Sequence, residues 1–313
     1  MGFLTCNVVL VYQIDGQCSR APAGSSATRA LRIALERVDR IDSKVLAGDI
    51  LTHCCERATV KKNQRVRMIL PVPLSAAALA RFAAQIPSAL RRPDIDVDFV
   101  GCRAGATLMD SAYESTLADA FVLDAGATAE TDGYDLVCSF SMSDSGVAAL
   151  RSRLKIPVVG AGHAALSLAA QLGHRFSVIT MWEPWRRHVI ENVARYGMSE
   201  KLASVRHIDV RPDTGQLLSG KEEIVFTALA AAADAAIRQD GADVIVLGST
   251  TMYQAHAWLA GELPCPVVNP GLVAYKVCET LLDLGLAHSK LAHPSPEVIR
   301  DDLFHPLKPT CEI

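Results

Sequence analysis

The sequence predicts an α/β protein in which two similar halves each contain a parallel sheet. Short apolar strands alternate with segments of helical periodicity from residue 65 to residue 284. This pattern is typical of parallel sheets joined by right-handed crossovers. In addition, an Asp–strand–Ser–helix–Pro-Val-Val–Gly sequence occurs twice, with its serines 108 residues apart and its prolines 109 residues apart. A repeat at this scale indicates a duplicated α/β half.

The repeat predicts where a ligand binds. Its first copy runs from Asp135 through an apolar strand to Ser141, and its second runs from Asp243 to Ser249. Each serine therefore follows the carboxyl end of a strand, which is the edge at which open α/β sheets bind ligands. If the two halves face each other, both hydroxyls lie in one cleft.

The elements follow from apolar periodicity, which has a period of two in strands and 3.6 in helices. Strands are predicted at residues 66–70, 97–100, 136–140, 176–180, 204–208 and 244–247, and in the Pro-Val-Val segments that begin at residues 157 and 266. Helices are predicted at residues 75–86, 111–117, 118–131, 146–154, 164–172, 183–196, 222–239 and 271–284. We expect the tail at residues 294–313 to be irregular because it contains several prolines.

Residues 1–63 lie outside the repeat. They contain a Gly/Ser/Ala-rich stretch and four of the nine cysteines, and one amphipathic helix is predicted at residues 28–45. We expect an N-terminal extension that is poorly ordered or is translated from a start assigned too early; a partner-binding segment is the alternative. The first α/β domain is predicted at residues 65–160 plus 270–313, and the second at residues 161–269.

Composition and charge exclude several classes of protein. The net charge of −3 gives no indication of a nucleic-acid surface, and no apolar run reaches the roughly 18 residues of a membrane span. Nine cysteines at irregular spacings are typical of the reduced thiols of cytoplasmic proteins. The first residues lack the positive charge of a signal peptide. We therefore expect a cytoplasmic protein that binds a small molecule and neither nucleic acid nor a membrane; a homo-oligomer is left open.

Small polar residues surround both serines. Residues 141–146 read Ser-Met-Ser-Asp-Ser-Gly, and residues 248–251 read Gly-Ser-Thr-Thr. Hydroxyls and free backbone N–H groups at the start of a helix can bind a carboxylate or an amide, although simple helix capping would also explain them. His163 lies beside the same cleft and could act as an acid or a base. The residues predicted to bind substrate are Ser143, Asp144, Thr250, Thr251 and His163.

Other kinds of site lack their sequence signals. Residues 160–165, Gly-Ala-Gly-His-Ala-Ala, imitate a dinucleotide-binding fingerprint, but no acidic residue follows at the end of the next strand. No histidine pair has a metal-binding spacing, and there is no Gly-x-Ser-x-Gly motif of an α/β-hydrolase. The sequence therefore predicts neither a metal site nor a nicotinamide cofactor.

Four segments of the repeat region are specific enough to point to a known family: Asp-Ser-Gly at 144–146, Ile-Pro-Val-Val-Gly at 156–160, Leu-Gly-His-Arg-Phe-Ser-Val-Ile-Thr at 172–180 and Gly-Ala-Asp-Val-Ile-Val-Leu-Gly at 241–248. On these segments, residues 65–284 resemble the aspartate/glutamate/hydantoin racemase family. The resemblance implies two pseudo-symmetric α/β domains with the site between them and no cofactor. It also implies two cysteines, one per domain, of which one removes the α-proton of the substrate and the other returns a proton. Matched residue by residue, these cysteines fall on Ser141 and Ser249.

Serine at both catalytic positions changes the chemistry that we expect. A thiol with a reference pKa of about 8.5 can be tuned to give a thiolate at neutral pH, whereas a serine hydroxyl needs an adjacent base to act comparably. Cys138 and Cys265 lie near the matching positions but not on them, and we expect both to be core thiols.

Three functions remain open from the sequence. The first is an amino-acid or hydantoin racemase or isomerase that acts next to a carboxylate or amide carbonyl, with a residue such as His163 or Asp144 transferring the proton. The second is a hydrolase or decarboxylase-like lyase that uses a serine. The third is a non-catalytic binding protein. The first is the function we predict, with Ser141 and Ser249 as the catalytic pair.

Overall fold

Eight short strands form two four-stranded sheets in residues 63–213 and 222–304, the part of the chain that the computed structural model describes. The first sheet has the strand order β2-β1-β3-β4, and the second has the equivalent order β6-β5-β7-β8, with every pair parallel. The strands are β1 (Gln64–Leu70), β2 (Ile95–Gly101), β3 (Leu136–Ser139), β4 (Val158–Gly160), β5 (Phe176–Thr180), β6 (Leu202–His207), β7 (Val244–Leu247) and β8 (Val267–Val268). The predicted α/β class with two parallel sheets is therefore confirmed.

Helices connect the strands. They are α1 (Ala76–Ala83), α2 (Ala112–Ala127), α3 (Val147–Arg153), α4 (Ala161–Leu172), α5 (Arg186–Arg195), α6 (Glu222–Asp240), α7 (His256–Glu262) and α8 (Pro270–Leu284). Short 3₁₀ helices lie at Ser88–Leu90, Glu183–Trp185, Ser199–Lys201, Thr250–Ala255 and Asp301–Phe304. The predicted extension and its helix at residues 28–45 lie outside the described residues, except for Asn63.

Several helix boundaries differ from the predicted ones for local reasons. The first helix ends at Ala83 instead of residue 86, shortly before Pro87, which disfavours a helical conformation of the residue before it, and the Arg91 guanidinium donates to the carbonyl oxygens of Ala83 and Ile86. The two segments predicted at 111–117 and 118–131 form the single helix α2, which Ser111 caps by accepting a hydrogen bond from Glu114 N. The segment predicted to be a helix from residue 183 begins with a 3₁₀ turn that contains Pro184.

The two aspartates that open the sequence repeat make equivalent contacts. The Asp135 carboxylate accepts a hydrogen bond from Arg65 N (2.8 Å), and the Asp243 carboxylate accepts one from Arg175 N (3.0 Å). In return, Asp135 N donates to Arg65 O (2.8 Å), and Asp243 N donates to Arg175 O (2.9 Å). Each aspartate thus fixes the start of a central strand against its neighbour. These paired contacts confirm the pseudo-symmetry of the two halves.

The central strands β3 and β7 position the two serines. All four residues of each strand are buried, as expected for strands covered on both faces. Beyond the strands, Phe140 N donates to Ile69 O (2.7 Å) and Gly248 N donates to Ile179 O (2.8 Å). These bonds hold the residue immediately before Ser141 and the one before Ser249 in equivalent places.

The helices that follow the fourth strand of each sheet, α4 and α8, pack against each other. Gly160 runs from β4 directly into α4, so the helix begins at Ala161 and not at the predicted residue 164. At the start of α8, the Asn269 side chain accepts hydrogen bonds from Gly271 N and Leu272 N. The described residues of both halves belong to one compact unit. The predicted domain boundaries after residues 160 and 269 fall at the starts of these helices and stay predictions.

Candidate active site

A small cavity lies between the carboxyl ends of β3 and β7. Its volume is about 50 Å³, and the serines of both sequence repeats, Ser141 and Ser249, line it. The first half also contributes Met142 and Ser143, and the second contributes Gly248. The remaining lining residues, which come from segments after β2 and β5, are Met109, Trp185, His188 and Val189.

The hydroxyl of Ser141 belongs to a chain of three hydroxyls. Ser141 Oγ lies 2.9 Å from Ser143 Oγ, which lies 2.9 Å from Ser145 Oγ. The Ser139 hydroxyl donates to Ser145 O (2.8 Å) and so ties the loop to the end of β3. Such a chain orients its members because each hydroxyl both donates and accepts. It gives Ser141 hydroxyl neighbours in place of the basic neighbour that a serine nucleophile requires.

Ser249 is held by the residue two positions after it. Its Oγ accepts a hydrogen bond from Thr251 N (3.1 Å) and lies 2.8 Å from Thr251 Oγ1. Ser249 is thereby the N-cap of the 3₁₀ helix Thr250–Ala255. The Thr250 hydroxyl donates to Phe140 O (3.3 Å), beside Ser141 in the other half. Thr250 and Thr251 are buried and hold the two serines, but they do not line the cavity.

Asp144 is buried and is bound entirely by protein groups. Its carboxylate accepts hydrogen bonds from Gly162 N (2.8 Å), His163 N (2.7 Å) and Tyr196 Oη (2.7 Å). Burial raises the pKa of Asp144 to about 6, although these hydrogen bonds act in the opposite direction. The carboxylate therefore caps α4, and Asp144 does not line the cavity at which the sequence predicted it.

The glycines that imitate a dinucleotide fingerprint make room for this carboxylate. A Cβ atom on Gly160 would overlap the Asp144 carboxyl group, and one on Gly162 would overlap both that group and Met142 O. In a dinucleotide-binding protein the ligand's pyrophosphate lies at the N-terminus of the corresponding helix. Here a side chain of the protein takes that place, which agrees with the absence of the fingerprint's acidic residue.

His163 lies in a different depression from the two serines. Its ring stacks on Tyr196 with the ring centroids 4.1 Å apart, and burial lowers the pKa of its imidazole. It lines a groove of about 570 Å³ between α4 and α8, together with Arg151 and Lys276. The structure thus brings together three of the predicted site residues, Ser141, Ser143 and Ser249, and places His163 elsewhere.

Two residues that cover the cavity, Trp185 and His188, were not predicted from the sequence. Trp185 Nε1 donates to Leu108 O (2.8 Å), and His188 Nε2 lies 2.6 Å from Met109 O. Trp185 and His188 follow the carboxyl end of β5, so the strand-end rule that identified the serines would also have drawn attention to them. Their contacts with a loop 77 and 79 residues earlier carry no local sequence signal.

The loop that carries Met109 is anchored by Glu114. The Glu114 carboxylate accepts hydrogen bonds from Thr107 N (3.1 Å), Leu108 N (2.8 Å) and Met109 N. Burial alone would raise the pKa of Glu114, but these backbone donors lower it below its usual value. Met109 has a φ of 57°, a left-handed conformation that is uncommon for a residue with a side chain.

No cysteine of the described part of the chain lines the cavity. Among the residues that the structure describes, Cys102, Cys138 and Cys278 are buried and Cys265 is half-buried. Burial raises the pKa of the Cys138 thiol well above its usual value, as expected for the core thiol that the sequence predicted. Cys265 packs at the edge of the second core. No described side chains form a group of three or more that could hold a metal ion.

Comparison with known proteins identifies the family. Residues 73–278 match the family model described as Asp/Glu/Hydantoin racemase. The chain belongs to the Asp/Glu/hydantoin racemase family. It is 27% identical over 230 residues to a hydantoin racemase from Paenarthrobacter aurescens, a match that covers 72% of this chain and 94% of that protein. The family resemblance predicted from sequence is thereby confirmed.

Two solved structures have the same fold. The allantoin racemase from Klebsiella pneumoniae superposes with a TM-score of 0.69 at 27% identity, covering 76% of this chain and 95% of that chain. The allantoin racemase from Pseudomonas fluorescens gives a TM-score of 0.67 at 26% identity, with 76% and 99% coverage. The chain is therefore an enzyme of the racemase and isomerase class. Among its described residues, no helix is both long and apolar enough to cross a membrane.

Proposed function

We propose that this enzyme acts without a cofactor on a small cyclic amide of the hydantoin type, or on a related amino-acid derivative. It exchanges the α-proton of this substrate and inverts the configuration at the α-carbon. The observation that carries the proposal is one cavity lined by hydroxyls from equivalent strand ends of both halves, Ser141 and Ser249. The family and its hydantoin and allantoin racemases support the reaction class.

The chemistry requires access to both faces of one carbon atom. The C–H bond next to the carbonyl breaks, its electron pair moves onto the carbonyl oxygen, and the proton passes to a base. Return of a proton to the opposite face of the planar enolate then inverts the centre. Ser141 and Ser249 approach from different halves, so their hydroxyls are suited to donate hydrogen bonds to the enolate and to hold the ring between them.

The apolar lining supports proton transfer by limiting the contact of the site with water. Met109, Met142, Trp185 and Val189 surround the hydroxyls, and a low dielectric strengthens each hydrogen bond to the developing negative charge. The cavity of about 50 Å³ is far smaller than the roughly 300–1,000 Å³ of a typical ligand site. Binding of a substrate therefore requires the segments that line the cavity to move apart.

Proton NMR in D2O with a panel of hydantoins, allantoin, amino acids and small dicarboxylates tests the function. The proposal predicts that deuterium enters the α-position of at least one substrate that is otherwise unchanged. Resonances of a ring-opened or decarboxylated product would instead support a hydrolase or lyase. Ligand-induced thermal stabilisation without any product would support a binding protein.

A further inference from the structure

The cavity contains one side chain that is suited to accept a proton. Of the nine lining residues in the part of the chain that the structure describes, His188 is the one whose side chain has a nitrogen lone pair that can accept a proton; the others are Ser, Met, Trp, Val and Gly residues. No thiol of the described residues lines this cavity. Because serine hydroxyls need an adjacent base, the site requires an acid–base group that Ser141 and Ser249 do not supply.

A carbonyl oxygen fixes the tautomer of His188. Its Nε2 lies 2.6 Å from Met109 O, and a carbonyl oxygen can only accept a hydrogen bond. Nε2 therefore carries the ring proton, and the lone pair of the neutral imidazole is on Nδ1. Nδ1 forms no hydrogen bond with the part of the protein that the structure describes. A histidine held in this way has one nitrogen occupied in positioning the ring and the other free to act as a base.

We propose that His188 is the base that removes the α-proton of the substrate, in place of the thiolates used by the family. This inference rests on the proposed function. Nδ1 takes the proton as the C–H electron pair moves onto the carbonyl oxygen, and the imidazolium then returns a proton to carbon. The carbonyl group of Met109 stabilises the imidazolium by accepting the hydrogen bond from Nε2.

A single base has a consequence that two bases on opposite faces do not have. The imidazolium returns the proton to the face from which it came unless the enolate turns over before the return. When the imidazolium exchanges its N–H proton with D2O before the return, deuterium enters the unchanged enantiomer of the substrate as well as its mirror image, and exchange is faster than inversion. With two bases, deuterium enters chiefly the inverted product.

Two substitutions of histidine by glutamine separate catalysis from structure. H188Q keeps a side-chain N–H that can donate to Met109 O but removes the base. We expect α-proton exchange to fall about 10²- to 10⁴-fold, the usual contribution of a positioned acid–base group, and imidazole in the buffer to restore part of it. H256Q is the matched control, because His256 Nε2 also contacts a backbone carbonyl, Val267 O (3.1 Å), away from the cavity. If H188Q exchanges the α-proton as fast as H256Q does, His188 is not the base and the proposal is overturned.

A measurement without substrate distinguishes failure of this inference from failure of the proposed function. S249C places a thiol in the cavity, and its alkylation rate by iodoacetamide is followed against pH. If His188 accepts protons from groups in the cavity, the thiol of S249C titrates at a lower pH than that of the S249C/H188Q variant. Coincident profiles would overturn the assignment of His188 whether or not any substrate is turned over. If the alkylation profile of S249C is shifted but the wild type exchanges no α-proton, His188 is a proton acceptor and the proposed reaction is wrong.

Discussion

The Tyr196 hydroxyl donates a 2.7 Å hydrogen bond to the carboxylate of Asp144, behind the loop that carries Ser141. The same carboxylate caps α4 through Gly162 N and His163 N. One buried acidic group thus fixes the serine loop to α4 and α5. Burial raises the pKa of Asp144 from 3.8 to about 6 because the hydrogen bonds offset only part of the cost of burying its charge.

The raised pKa of Asp144 makes stability depend on pH. Since the pKa of Asp144 is higher in the folded state, the protonated carboxyl group adds to the free energy of unfolding. This stabilising contribution is fully present below pH 3.8 and is lost as the pH rises through about 6. A shift of this size corresponds to about 3 kcal/mol. We expect urea unfolding between about pH 4 and pH 7 to show this decline in the wild type and a flatter profile in D144N. Equal pH dependence in both proteins would contradict this account of Asp144.

Replacing either serine should abolish activity without unfolding the protein. S141A removes one end of the hydroxyl chain and leaves the backbone contacts of β3 in place. S249A also removes an N-cap, so we expect it to cost about 1 kcal/mol of stability. Racemisation followed by chiral chromatography, alongside thermal unfolding, measures the two effects. If either folded variant turns over substrate at the wild-type rate, the serine that it lacks is not part of the active site.

Restoring thiols at both positions should change the pattern of isotope exchange. The S141C/S249C variant has a potential base on each side of the substrate, as the family resemblance implies for its relatives. We expect exchange to rise on the order of 10²-fold, to depend less on His188, and to place deuterium chiefly in the inverted product. A variant that still places deuterium chiefly in the unchanged enantiomer would show that these positions do not flank the α-carbon.

Loss of the Glu114 carboxylate should loosen the cover of the cavity. In E114A the backbone N–H groups of Thr107, Leu108 and Met109 lose their shared acceptor. We expect faster amide hydrogen exchange in this loop and an altered KM, with the two sheets unaffected. E114Q retains a side-chain oxygen as acceptor and serves as the milder comparison. Unchanged exchange of the loop amides in E114A would contradict the anchoring role of Glu114.

The sequence predicted local features of the fold well. The strands Phe176–Thr180 and Val244–Leu247 have the bounds that their apolar runs predicted, and the repeat placed Ser141 and Ser249 at equivalent strand ends. Apolar runs and repeated spacings are properties of neighbouring residues, so one sequence is enough to recognise them.

Contacts between distant segments could not be predicted in the same way. Asp144 follows β3 in sequence, and only the fold shows that its carboxylate caps α4. The start of α4 was missed for the same reason, because Gly160 and Gly162 imitate a turn but in fact accommodate that carboxylate. His188 enters the cavity region through a bond to Met109, which no spacing in the chain reveals.

Isotope exchange at the α-carbon shows whether Ser141 and Ser249 take part in proton transfer. One enantiomer of a hydantoin is incubated in D2O with the wild type, S141A or S249A, and the α-proton resonance is followed. We expect the resonance to disappear with the wild type while the rest of the spectrum is unchanged, and to persist with both variants. A new product in place of α-deuteration, or equal exchange by all three proteins, would contradict proton transfer in a site that the two serines form.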